Sequence, residues 1–146
     1  IRYSDEISKL FAGIGTDVAQ TILDQTARKL QAFDRKNRQT ELYERLMSFV
    51  HGDDRYIVIC GAGNFGQSIF FKLRNETGRV AGFVDRDPQK SGTFIEQVPI
   101  LSVDKLTKFT CERYKFIVAT VEGSSSYTRL LNKAGFVLGQ DFFCPF

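Results

Sequence analysis

Three glycines and one carboxylate are the residues of this chain best suited to chemistry. Gly61, Gly63 and Gly66 stand at G-x-G-x-x-G spacing, and Asp85 follows nineteen residues after the last of them. Glycines so placed let a backbone turn tightly and approach a pyrophosphate, and an acid about 20 residues further on accepts hydrogen bonds from ribose hydroxyls. Gly61 is expected to make the turn, Gly63 to leave room for phosphate, and Gly66 to let a helix lie close on a sheet. The amides of Asn64 and Phe65 would open that helix and present its positive dipole end to phosphate. The chemistry these residues imply is recognition of a nucleotide.

Asp85 favours NAD over NADP, while Arg86 beside it could meet a 2'-phosphate or stay solvated. The competing role for Asp85 is a turn or helix cap with Asp87-Pro88. A hydroxyl-rich loop, residues 120–127, supplies Thr120 and Ser124 as further cofactor contacts. Capping of the next helix by Ser124 or Ser125 is the other reading, and both can share the same amides. Glu122 is an acid or base without an identifiable partner.

No catalytic set accompanies this site. No tyrosine is followed four residues later by lysine, so the Tyr-x-x-x-Lys proton relay of many reductases and epimerases is missing. The only histidine, His51, precedes the nucleotide motif and reads as a C-terminal helix cap. Cys60, Cys111 and Cys144 are odd in number and widely spaced, against a disulfide framework or a zinc site, and no other metal spacing exists. Whether the chain is an enzyme stays open; if so, an NAD-dependent oxidoreductase or a sugar-nucleotide epimerase or dehydratase fits.

The elements that position these residues follow from hydrophobic patterning. Tyr56 to Cys60 reads as a buried strand running into the glycines, and Ile69, Phe70 and Leu73 as the inward face of the next helix. Val80 to Val84 forms a second strand ending at Asp85. A short third covers Val98 to Leu101, with Ser102 able to cap a helix through Leu106. Lys115 to Thr120 is the fourth, Ser124 to Ala134 a helix stopped by Gly135, and Phe136-Val137-Leu138 leads to a final strand. Alternation at this spacing predicts an α/β fold, a doubly wound parallel sheet of Rossmann type in the order 3-2-1-4-5.

Upstream, Thr16-Asp17 offers an N-cap, and Val18, Ile22, Leu30, Phe33, Leu42, Leu46, Phe49 and Val50 recur at helical spacing. The polar stretch from Asp34 to Glu41 allows one long helix with a solvated middle or two helices with a short joint, and two helices or a bent one are favoured. Ile7, Leu10 and Phe11 suggest a helical turn before Gly13-Ile14-Gly15. The domain reading is therefore a helical extension over residues 1–52 and a nucleotide-binding domain over residues 53–146. The helices would pack on their own core, or pair with a second copy or a linked catalytic domain.

With 146 residues and 42% hydrophobic content, the chain can bury a real core. Its 20 basic and 17 acidic residues give +3 in scattered single charges, so no nucleic-acid footprint is expected. No apolar run approaches the roughly 18 to 20 residues of a membrane span. The cysteine usage suits a reducing, cytoplasmic compartment. Opening on Ile1 suits a piece of a longer protein.

The stretch Gly82-Phe83-Val84-Asp85-Arg86-Asp87-Pro88-Gln89-Lys90-Ser91-Gly92, with Val98-Pro99-Ile100-Leu101 after it, resembles one group more closely than a general Rossmann fold. It is similar to the small modules joined to sugar-nucleotide dehydratases, sugar acetyltransferases and some methyltransferases of bacterial surface-polysaccharide synthesis, with Gln97 replacing a glycine of that pattern. The resemblance implies a module binding NAD or a nucleotide sugar in a polysaccharide pathway, its catalytic part elsewhere. S-adenosylmethionine ranks below NAD, because Cys60 stands where methyltransferases carry an acid. A small oxidoreductase, a methyltransferase fragment and an assembly module with an empty crevice are the alternatives.

Overall fold

The computed structural model describes residues 16–146. The expected turn at Ile7, Leu10 and Phe11 lies outside the described residues. The first described element is α1, Thr16–His51, a single unbroken helix of 36 residues. The joint expected over Asp34 to Glu41 does not form. That stretch holds no Gly or Pro, and its Arg, Lys, Gln and Glu residues are good helix formers. Val18, Leu30 and Phe33 are exposed on α1, whereas Leu46 and Val50 near its end are buried. Two compact units divide between Glu44 and Arg45, so the last turns of α1 belong to the second.

Within that second unit the helix end is tied down by charge. Lys115, only 1% exposed, donates from Nζ to the carbonyls of Phe49 at 2.6 Å and Val50 at 2.8 Å. Asp53 Oδ1 lies 3.1 Å from the same ammonium. Burial pushes the Lys115 pKa down, with Asp53 opposing. Burial would raise the Asp53 carboxyl, but the Arg55 N–H and Lys115 together hold it below its usual value. His51, expected to cap this helix, instead sits exposed with Nε2 3.8 Å from Glu76. A buried lysine reaches the free carbonyls that His51 does not.

The strands are β1 (Tyr56–Cys60), β2 (Val80–Asp85), β3 (Phe94–Ile95), β4 (Val98–Ser102), β5 (Tyr114–Val118) and β6 (Phe142–Phe143). They form one six-stranded sheet in the order β3-β4-β2-β1-β5-β6. All neighbours pair parallel except β3 with β4. Without β3 this is the expected doubly wound order. The added strand makes a hairpin through Glu96, which takes a positive φ of 54°. Helix α2 (Asn64–Leu73) follows β1, a short 3-10 helix (Val103–Lys108) follows β4, and α3 (Ser124–Lys133) follows β5.

Alternation along the strands feeds two cores. Val58, Cys60, Val84, Phe116 and Val118 pack with Tyr127 and Leu131 of α3 and with Phe136. On the opposite face Phe83 meets Phe70 of α2 edge-on at 5.5 Å. Cys60 is level with Val84 of β2 and with Val118 of β5. The three central strands therefore end together, which places the glycine turn, Asp85 and Thr120 along one sheet edge.

Candidate functional site

A cleft of about 480 Å³ opens at that edge. Gly61, Gly63, Asn64, Phe65, Asp85, Arg86 and Thr120 of the expected site all line it. Gly66 and Ser124 do not. Gly66 lies buried beneath the turn, where a Cβ would run into the Gly61 carbonyl oxygen. Ser124 is the first residue of α3, and its hydroxyl donates to the Val121 carbonyl at 3.0 Å. The cap position of α3 is Gly123, with no side-chain cap bond, so neither Ser124 nor Ser125 caps it.

The glycines differ in what requires them. Gly61 takes a φ of +110° and lies against Ala119 and Thr120, so the turn itself demands it. At Gly63 a Cβ would meet nothing within 4 Å. The space it leaves free faces the start of α2, where no side chain caps the amides. An uncapped helix start with an open glycine before it is a ready anion cradle.

Asp85, its side chain 15% exposed, is committed to the backbone on both oxygens. Oδ2 accepts from the Ala62 N–H and Oδ1 from the Asp87 N–H, each at 2.8 Å. An ionised carboxylate offers about four acceptor positions, so two remain for ribose hydroxyls. Lys90 Nζ stands 4.0 Å from Oδ2. Arg86 turns away from Asp85: its guanidinium lies over the Tyr127 ring at 5.0 Å and donates to the Gly123 carbonyl at 3.4 Å.

Lys90, Ala119, Val121, Glu122, Gly123 and Tyr127 complete the lining. Lys90 escaped the sequence reading because the turn at Asp87-Pro88, not spacing, brings it beside Asp85. Tyr127 comes from the first turns of α3 and is 2% exposed, its hydroxyl donating to the Val84 carbonyl at 3.4 Å. Burial pushes the Tyr127 phenol well up, and the nearby Asp85 charge adds to this. Burial also pushes the Cys60 thiol up. Both groups stay protonated at neutral pH, which suits packing and hydrogen bonding, not proton transfer.

Comparison with known proteins places this geometry. The sequence matches the CoA-binding domain family over residues 53–129, more than half of the chain. The chain belongs to the CoA-binding domain family. A redox-sensing transcriptional repressor Rex from Caldicellulosiruptor bescii is 37% identical over 71 residues, 47% of this chain and 33% of the relative. The chain thus spans about a third of the length of that curated relative. A solved structure of RSP, a Rex-family repressor, matches 98% of this chain and 75% of that one, with 20% identity and a TM-score of 0.53. RSP in complex with beta-NADH matches 98% and 74%, with 22% identity and a TM-score of 0.51. At those identities the likeness is one of fold.

These findings overturn two expectations. The polysaccharide-pathway reading is incorrect: the family is that of CoA-binding domains and the curated relative is a redox-sensing repressor, neither of them a sugar-nucleotide enzyme. The residues that carried it have local duties here, Asp87 Oδ1 accepting from the Gln89 N–H at 2.9 Å and Val98-Pro99-Ile100-Leu101 building β4. The exclusion of nucleic acid is also withdrawn, since the relative is a transcriptional repressor. Scattered charge describes this chain and is silent about the rest of a relative of which the match covers 33%. Nucleotide sugar and S-adenosylmethionine gain no support from the comparisons and are set aside. Among the described residues, no helix is long and apolar enough to cross a membrane.

Proposed function

We propose that this domain is the NAD(H)-binding part of a redox-responsive transcriptional regulator, and that its task is recognition, not turnover. One observation carries the reading: the uncapped start of α2 and the carboxylate of Asp85 line the same cleft. Phosphate fits the first and a ribose diol the second, as an ADP-ribose half requires. A solved relative of the same fold was crystallised with beta-NADH, which supports the choice of ligand.

The family description raises coenzyme A as the second candidate. Coenzyme A carries a phosphate on its adenosine ribose, where Asp85 would repel it. NAD(H) offers two free hydroxyls there. Lys90 and Arg86 temper the repulsion, but Arg86 is held across the cleft at Gly123. Nucleic acid is the partner class this reading implies for the regulator as a whole.

Calorimetric titration with NADH, NAD+ and coenzyme A tests the assignment. NADH is expected to bind, and Asp85→Asn to weaken it by about tenfold, the loss of one or two charge-assisted hydrogen bonds. Tighter binding of coenzyme A than of NADH, or NADH binding untouched by Asp85→Asn, would overturn it.

A further inference from the structure

Ala62, in the middle of the glycine turn, is gripped from two sides. Its N–H donates to Asp85, and its carbonyl accepts from Gln67 Nε2 at 3.0 Å. Gln67 holds the next carbonyl as well, its own backbone N–H donating to Gly63 O at 2.9 Å. Two successive carbonyls are thus drawn toward α2 by one residue. In a trans peptide the N–H points opposite to its C=O. The N–H groups of Gly63 and Asn64, which share those two peptide planes, are thereby aimed the other way, and both residues line the cleft. Gln67 itself is half-buried and does not line the cleft.

We infer that Gln67 is a positioning residue that pre-forms the phosphate cradle without touching the nucleotide. The inference rests on the nucleotide reading of the cleft. Its physical basis is preorganisation: a loop already holding its bound shape spends less of the binding energy on ordering itself. A free turn of two glycines would otherwise lose much conformational freedom on binding.

The full chain with Gln67→Met keeps side-chain length and loses the donor. ADP and NADH are the probes, because both contain the phosphates and differ beyond them. Both dissociation constants are expected to rise by the same factor, about five- to tenfold, from one lost hydrogen bond to the turn. Melting temperature should stay close to that of the parent. In the ligand-free variant, backbone order parameters at Gly63 and Asn64 should drop from about 0.85 toward 0.6. A packing role alone would shift melting and leave ADP affinity of the folded protein unchanged, and that result overturns the inference. If the parent binds neither ADP nor NADH, the nucleotide reading fails. The order parameters still decide the positioning role, since unchanged values refute it without any ligand.

Discussion

At the scale of single residues, the G-x-G-x-x-G motif separates into glycines the fold needs and one, Gly63, that it does not. Gly66→Ala must displace the Gly61 backbone, which no rotamer change relieves. We expect it to destabilise the protein by at least about 2 kcal/mol, the scale of overpacking a tight site, in denaturant unfolding. Gly63→Ala meets open space at a φ of −81°, so stability should change by no more than about 1 kcal/mol. NADH affinity in the same variant should nonetheless fall at least about tenfold, since the added methyl stands where phosphate must approach. Equal NADH binding by Gly63→Ala and the parent would place the phosphate elsewhere. The motif was legible as a pattern because spacing alone defines it. The task expected of each glycine was legible too, but not that Gly66 lies against the Gly61 carbonyl, which depends on the fold of the turn in space.

At the scale of elements, the end of α1 is held by a side chain from β5. Lys115→Met removes the donor from the Phe49 and Val50 carbonyls and leaves Asp53 with Arg55 as its remaining cation. The lost charge-assisted hydrogen bonds should cost about 1 to 3 kcal/mol, measured by thermal unfolding. Asp53 adds a pH dependence of defined sign. Its folded pKa lies below the usual 3.8, so its contribution is present above that value and lost as pH falls through the lower folded value. The stability difference between the parent and Asp53→Asn should therefore shrink as pH drops below about 4, and a difference constant from pH 7 to 2 would contradict this.

Elements were the most legible level. The order of the five parallel strands follows from alternating βα segments and the handedness of their crossovers. The β3–β4 hairpin escaped because its turn holds Glu96 at positive φ with no Gly or Asn to signal it. The polar centre of α1 suggested a break, but composition of that kind solvates a helix without ending it.

At the scale of the whole molecule, the site lies in the unit that begins at Arg45, and the family match falls within it. A ligand that binds only the folded state raises melting temperature by mass action. NADH at about 100 times its dissociation constant should add about 2.7 kcal/mol of stability. Coenzyme A at the same concentration should add little, and the reverse order would favour the second ligand. The charge census misled at this scale. It spoke for one surface, while the partner class belongs to a relative of which this chain covers 33%.

The sequence by itself determined the sheet order and the motif on which the nucleotide proposal rests, because both are written in short-range spacing: glycines two and three apart, an acid at the end of the next strand, apolar runs at fixed intervals. Only the tertiary structure decided how those residues work together. It brought Lys90 beside Asp85, laid Arg86 across to Gly123, and tied Ala62 between Asp85 and Gln67. Those relations arise where three strands end at one level, and no local pattern records which side chains meet there.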